Sequence, residues 1–391
     1  MRLLYLKWKA FGNDYMLKAL RKAGFECFTC DYAQDTDDTR RSEEVANKVV
    51  EKILEYKVDY VFSFDFFVTV AVACKACRVK YISWTYDSPY VQLYSQAINY
   101  DTNYAFIFDK NEYNKLKSHG VDTIYYLPMA VDMESYNSII VSDNDRKKYS
   151  SDISMVGSMY TEKRQQLYKY LDKLDDYTKG YLDAVIETQQ KIYGMDILES
   201  SLTADIVEAL KEACPMQQSG DGFETLEWVY ANYFLARKVT SIERERYLDR
   251  LSIYHNVAIY TPEPTPKLKK VDNRGTVDYY NEAPKVFKSS KINLNITLRS
   301  IVTGIPLRAF DIMGCGGFLL SNYQEDFFEF FEADKDFVYF DSEEDLCEKA
   351  SYYLKNDTLR EQIALSGYEK VKNYHTYNHR VEYMLKIINK K

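Results

Sequence analysis

The feature that most constrains this chain is an alternation. Short apolar runs of strand length are separated by stretches of helical period, and the pattern starts twice. Residues 3–6 read as a strand. Gly12-Asn13-Asp14 follows as a turn with a capping residue, and Met16, Leu17 and Leu20 then fall at helical spacing up to Gly24. Residues 25–29 form a second strand, and Val45, Val49, Ile53 and Leu54 mark a helix. Residues 60–64 are a strand, 68–76 a helix and 79–84 a strand. Residues 105–108 and 124–127 are two more strands, with a charged helix over 111–118. Strands alternating with helices imply a parallel sheet covered on both faces. Ligands of such sheets sit beyond the carboxyl ends of the strands. The positions to inspect are therefore 10–12, 65–66, 87–89 and 129–132.

The pattern restarts at Ile153, Met155 and Val156, which run into Gly157-Ser158 and a helical stretch over 161–170. This second strand–Gly–helix opening places the domain boundary in the polar stretch 141–151. Two or three domains also suit 391 residues, at roughly 100–200 residues each. Residues 176–254 are helical in pattern, broken at Pro215 and around 219–222, and read as a helical insertion. Strands follow at 257–260, 291–296, 318–320 and 337–340, with a helix over 306–313. Residues 262–284 form a polar loop, long enough to be functional. Ser342 with Asp345, and Thr358 with Glu361, read as capping boxes. Tyr377, Val381, Met384, Leu385 and Ile388 give the last helix an apolar stripe.

A net charge of −8 argues against a broad nucleic-acid or anionic-membrane surface. No apolar run reaches the roughly 18 residues that span a bilayer. The opening apolar stretch is short and interrupted by Lys7 and Lys9, unlike an export signal. A cytoplasmic protein with reduced thiols is expected, and the odd count of seven cysteines agrees. Cys27 with Cys30, and Cys74 with Cys77, have Cys-x-x-Cys spacing. The distance between the pairs favours buried thiols over zinc. The 37 tyrosines are spread through the chain, as packing residues or as a sugar- or peptide-binding rim.

The richest stretch is 291–318. A buried strand ends in the polar Asn293, Asn295 and Arg299. Gly304 precedes Pro306, which suits the first turn of a helix. Free amides at that helix start would face a phosphate, and Asp311 further along could accept from a sugar diol such as ribose. Gly314, Gly316 and Gly317 turn the backbone into the next strand. The alternative is an ordinary helix–turn–strand with surface charges.

The run 304–321 (GIPLRAFDIMGCGGFLLS) resembles the nucleotide-sugar segment of GT-B glycosyltransferases, and more closely that of the CgeB-like, spore-maturation-type group. The stretches 81–89 (YISWTYDSP), 152–160 (DISMVGSMY), 180–183 (GYLD) and 374–377 (YHTY), with Arg380 after it, resemble the same group. The resemblance implies an α/β, GT-B architecture: two Rossmann-like domains facing a cleft, with the helical insertion in the second. The N-terminal domain (1–145) would hold the acceptor. The C-terminal domain (146–375, insertion about 176–254) would hold the activated sugar, and the last helix (376–391) would cross back.

By position, the resemblance puts Asp311 on the donor ribose and Gly304 and Ile305 on the diphosphate turn. It puts Gly157 and Ser158 on the loop beside the diphosphate, and 274–279 near the nucleobase. Retaining enzymes of this fold often carry a glutamate eight residues before the ribose carboxylate; here that position is Thr303. The resemblance further implies catalysis without a metal or other cofactor. Arg299, Arg308 and Arg164 are the candidates to stabilise the leaving diphosphate; the alternative for each is a solvated arginine. An inverting reaction needs a general base. Asp87, after the fourth strand, is the first candidate and Asp65, after the third, the second. The competing reading of Asp87 is a turn cap before Ser88-Pro89. None of the four histidines falls at a strand end of the N-terminal domain.

The expected function is therefore transfer of a sugar, of hexosyl class, from a UDP-linked or related nucleotide sugar to a hydroxyl of a protein or glycan. The alternatives are an idle nucleotide- or glycan-binding assembly factor of the same fold and a nucleotide-sugar epimerase. Sugar, acceptor, stereochemistry and oligomeric state are open at this point.

Overall fold

A computed structural model describes residues 1–32, 42–161, 170–171 and 173–390. The chain divides into two compact units. The first comprises residues 1–130, 218–224 and 375–391, and the second comprises residues 131–217 and 225–374. The division falls after Ala130, earlier than the polar stretch where the composition changes.

The first unit is built from β1 (Arg2–Lys7), α1 (Asn13–Lys22), β2 (Glu26–Asp31), α2 (Glu43–Tyr56), β3 (Tyr60–Phe64), α3 (Val68–Cys77), β4 (Lys80–Thr85), β5 (Asn103–Ile107), α4 (Lys110–Ser118) and β6 (Ile124–Tyr126). Its strands form one parallel sheet in the order β2-β1-β3-β4-β5-β6. β1, β3, β4 and β5 are buried along nearly their whole length, as expected of parallel strands covered on both faces. That is why they read as continuous apolar runs rather than alternating ones. Residues 218–224 join this unit through an antiparallel bridge between Ser95 and Gly222.

The second unit holds α5 (Met133–Ser138), α6 (Asp143–Tyr149), β7 (Ile153–Val156), α7 (Asp176–Gln189), α8 (Ala204–Ala213), α9 (Leu226–Val229) and α10 (Ala236–Ser252). These are followed by β8 (Val257–Tyr260), β9 (Asp272–Asn273), α11 (Ala283–Ser289), β10 (Ile292–Asn295), α12 (Leu307–Gly314), β11 (Leu319–Asn322), α13 (Phe327–Phe330), β12 (Val338–Phe340), α14 (Glu343–Lys355) and α15 (Asp357–Tyr374). Its sheet is also parallel, in the order β12-β11-β10-β7-β8-β9. α7, α8 and the start of α10 share an apolar cluster of their own, including Leu182, Ile186, Ile206, Leu210 and Val239. The sheet core is a separate cluster around Ile153, Ile259, Leu294 and Leu320.

The final helix, α16 (Tyr377–Ile388), belongs to the first unit. Its apolar stripe is buried at Tyr377, Val381, Met384 and Ile388. Tyr377 packs against Tyr15 and Trp84. Arg380 is buried on the same face and donates to the carbonyls of Pro128 and Met129.

Some local expectations are corrected. The polar loop over 262–284 contains β9, which pairs with β8 through Ala258 and Ile259. α15 begins at Asp357, so Thr358 lies inside it rather than capping it. Ser342 does cap α14, accepting from the amide of Asp345. Pro306 is the N-cap of α12 rather than part of its first turn. The helix expected over 161–170 lies almost wholly outside the described residues. Cys27, Cys30, Cys74 and Cys77 carry free thiols, and burial pushes the Cys74 thiol well above its ordinary range.

Candidate functional site

Both sheets have a point where the strand order reverses. In the second unit the chain runs from β7 outward to β8 and β9, then returns to the other side of β7 as β10. The carboxyl ends of β7 and β10 therefore flank a topological switch point, where sheets of this kind open a crevice for a ligand.

Three segments meet there. β7 ends in Gly157, at φ 151°, where a side chain would be strained. A Cβ on Gly157 would also collide with the guanidinium of Arg308. Arg308 rises from the first turn of α12 and donates to the Val156 carbonyl (2.7 Å) and to Asn295 Oδ1 (2.6 and 3.0 Å). Arg308 thus ties the ends of β7 and β10 together. Among the described residues, the amides of Gly304, Ile305, Leu307 and Arg308 have no hydrogen-bond partner. Gln324 braces this turn by donating to the Ile301 and Gly304 carbonyls.

A second arginine, not foreseen from the sequence, completes the arrangement. Arg244 of α10 is buried and donates to the carbonyls of Ser158 and Ile296, at the ends of the same two strands. Its guanidinium lies 4.8 Å from the centre of the Tyr160 ring, and its Nε is buried without a partner. Burial lowers its pKa to about 10, with the nearby Arg308 charge adding to the effect, so it remains a cation at neutral pH. Glu263 closes the floor, accepting from Ser158 Oγ (2.6 Å), the Met159 amide (3.1 Å) and the Thr261 hydroxyl. The signal for Arg244 was present. Arg244, Leu248 and Leu251 share one helical face, so the run Glu243-Arg244-Glu245-Arg246 is not a uniformly solvated stripe.

Other expected residues have different surroundings. Arg299 is held by internal partners. It is buried in an ion pair with Glu243, donating to both carboxylate oxygens (2.5–3.2 Å), and it donates to the Ile192 carbonyl and lies over the Tyr193 ring. Burial works against its charge, but Glu243 more than offsets this and holds the proton more tightly than usual. Asn293 serves the sheet, bonding Ser154 and the Phe287 carbonyl. Thr303 and Ile305 are buried, and the Thr303 carbonyl accepts from the Asp326 amide. Arg164 lies outside the described residues.

Asp311 is buried, and both its oxygens are taken: Tyr136 donates to one (2.6 Å) and Tyr279 to the other (2.9 Å). Asp311 is the residue that the resemblance puts on the donor ribose, and here its partners are these two phenols. Two phenols stand where a diol was expected, and one of them, Tyr279, comes from the loop expected near the nucleobase. Burial pushes the Asp311 carboxyl up to about 7, although both phenols and Arg308 favour its ionised form. Arg274 is held by Asp272, Tyr260 and the Lys148 and Ser150 carbonyls.

In the first unit the switch point lies between β1 and β3. Asp65 follows β3 directly, in the left-handed region at φ 55°. It is fully buried, and its Oδ1 accepts the amides of Tyr86 (3.1 Å) and Asp87 (3.4 Å) just beyond β4. The two candidate bases are thus neighbours, one buried and one exposed. Trp8 follows β1, with its ring parallel to that of Tyr86 at 6.4 Å. The indole donates to the Phe64 carbonyl, and the Tyr86 hydroxyl accepts the Phe11 amide. Among the described residues no three His, Cys, Asp or Glu side chains cluster to hold a metal ion, and no helix is long and apolar enough to cross a membrane.

Residues 237–386 match the family described as Glycosyl transferase-like. Solved structures share the fold across the whole chain. Sucrose-phosphate synthase from Thermosynechococcus elongatus aligns at 10% identity and TM-score 0.58, covering 100% of this chain and 98% of that one. Anabaena Alr3699/HepE, in complex with UDP-glucose, aligns at 11% identity and TM-score 0.57, covering 100% of both chains. A glycosyltransferase from Rickettsia africae aligns at 12% identity and TM-score 0.55, covering 99% and 97%. No curated protein sequence matches the chain. The fold is that of the GT-B glycosyltransferases, with two six-stranded parallel sheets.

Proposed function

We propose that this chain is a glycosyltransferase that moves a sugar, of hexosyl class, from a nucleotide-diphosphate sugar to a hydroxyl of a protein or glycan. The observation that carries the reading is the second unit's switch point, where Arg308, Arg244 and the unpartnered amides of 304–308 converge. Backbone donors at a helix start, with guanidinium groups beside them, suit a diphosphate. The Anabaena neighbour was solved with UDP-glucose, which makes a UDP-linked donor the first to test. The domain from about residue 146 to 375, with its helical insertion, would carry the donor. Residues 1–145 would carry the acceptor, braced by the helix over 376–391. Membership of the CgeB-like group and a cytoplasmic location belong to the same proposal.

In the reaction the acceptor oxygen gives up its proton to a carboxylate of the first unit. It bonds to the anomeric carbon as the bond from that carbon to the diphosphate oxygen breaks. The departing oxygen keeps the electron pair, and fixed cations and amides stabilise its charge without a metal. The test is titration calorimetry with nucleoside diphosphates in the presence of a chelator. UDP should bind the folded protein; if no nucleoside diphosphate binds, the reading is wrong.

The closed Asp311 favours a second reading, an idle nucleotide- or glycan-binding assembly factor, because the expected ribose carboxylate is occupied by two phenols. Slow hydrolysis of the donor by pure protein separates the two, since an idle binder yields no free sugar. The fold is also shared, at TM-score 0.50 and 12% identity, by a putative UDP-N-acetylglucosamine 2-epimerase from Listeria monocytogenes. Product analysis without acceptor would expose an epimerase.

A further inference from the structure

At the first unit's switch point, one half of the carboxyl pair has no ordinary explanation. Asp65 is fully buried on a left-handed backbone. Such a conformation costs energy in a non-glycine residue, though aspartate tolerates it better than most. The Oδ1 atom is satisfied by two amides from the start of the β4 loop. The Oδ2 atom is equally buried and finds no donor. Among the described residues no Lys, Arg or His forms an ion pair with Asp65. A buried carboxylate with one empty oxygen and no cation is costly, and the side chain facing it is a second carboxyl, Asp87. The other titratable groups facing this corner are phenols: the Tyr81 hydroxyl, which approaches the Asp65 carbonyl, and Tyr90.

We propose that Asp65 is a positioning residue: its buried carboxyl carries a proton and donates it in a hydrogen bond to Asp87, leaving Asp87 as the ionised base that accepts the acceptor's proton. The arrangement explains the two amides on Oδ1, which a neutral acid accepts through its carbonyl oxygen. It explains the empty Oδ2, which becomes the hydroxyl donor. It also explains why Asp65 can adjoin a second carboxyl with no cation of its own, because two neighbouring carboxyls share one proton rather than both ionise. Burial, followed by the Asp87 charge, pushes the Asp65 carboxyl well above its ordinary range, in the same direction. The exposed member is the one able to reach an acceptor. Proton transfer to Asp87 from the attacking hydroxyl accompanies formation of the new glycosidic bond and loss of the diphosphate. The stereochemical consequence is inversion.

This division of labour rests on the transferase reading, and its test is separable from it. The full chain, labelled with carboxyl carbon-13 aspartate, is followed by NMR as pH is raised through neutrality. Asp311 should titrate with a midpoint of about 7; a different aspartyl carbon should keep the shift of a neutral acid as pH passes that midpoint, and Asp65→Asn should abolish that signal. An Asp65 signal already ionised at neutral pH overturns the proposal whatever the enzyme does. Hydrolysis of the UDP-sugar donor supplies the second readout. Asp87→Asn should lower turnover roughly 10²- to 10⁴-fold, the range for loss of a general base. Asp65→Ala should lower it roughly tenfold or more by removing a charge-assisted hydrogen bond. Asp65→Asn, whose amide N–H replaces the hydroxyl donor, should restore most of it. If Asp65→Asn is as inactive as Asp87→Asn, Asp65 is needed as an anion and the assignment is wrong. UDP affinity, measured in parallel, should be the same in all three variants. Its absence in the wild type would sink the transferase reading and leave the NMR result standing.

Discussion

Each sheet reverses its strand order once, between β1 and β3 in the first unit and between β7 and β10 in the second, and the two reversals are furnished differently. The second is cationic. Arg308 and Arg244 bind the carbonyls at the strand ends, and free amides open α12. The first is acidic and aromatic, with Asp65 and Asp87 beside Trp8, Tyr86 and Phe11. One architecture thus presents opposite chemistry at its two equivalent positions. A diphosphate suits the cationic end; a neutral hydroxyl that must lose a proton suits the acidic one. Buried charged groups of the second unit also serve each other and the fold, as Arg299 does with Glu243 and Asp311 with Tyr136 and Tyr279.

The largest effect should come from breaking the buried Arg299–Glu243 ion pair. Arg299→Ala leaves Glu243 buried without its partner and should cost about 3–5 kcal/mol of stability in urea unfolding, while UDP affinity stays within about twofold. A large loss of affinity in the folded variant would return Arg299 to the site.

Next comes the pH dependence of Asp311. Its folded pKa is raised to about 7 from an ordinary 3.8. Between these values the unfolded chain has released the proton and the folded chain still holds it. Stability from this group therefore falls as pH rises from about 4 to about 7, by on the order of 1 kcal/mol per pH unit at most, and then levels off. Asp311→Asn should remove that slope from denaturation midpoints measured across the window. An unchanged slope would contradict the burial of a titrating carboxyl there.

The smallest effect is expected from Tyr279→Phe. Losing one hydrogen bond to a carboxylate should cost about 1–2 kcal/mol. It should also raise the Asp311 pKa further, because the phenol favours the ionised form, so the falling limb extends to higher pH. Melting curves on either side of neutrality check this. A limb shifted to lower pH would mean that Tyr279 does not donate to Asp311.

Much of the fold was legible because parallel strands buried on both faces are largely apolar, as 60–64 and 153–156 are but for Ser63 and Ser154. β9 was not legible. Asp272 and Asn273 are polar and enter the sheet by backbone pairing alone. The site was legible as a location, since strand ends follow from the alternation. It was less legible as chemistry, because a side chain's partner can come from anywhere in the chain. Arg299 and Glu243 are 56 residues apart, and Tyr136 and Asp311 are 175 apart. Asp65 and Asp87 were each visible as loop acids; that they adjoin follows only from β3 and β4 being neighbours in the sheet.

The central claim, that the β7–β10 reversal grips a diphosphate, is tested most directly by comparing UDP affinity in the wild type and Arg308→Ala by calorimetry, with a folded far-UV spectrum as control. Binding by the wild type and a loss of roughly tenfold to a hundredfold in the variant, the range for a charge-assisted contact, is the predicted result. Equal affinity in the two proteins would contradict it.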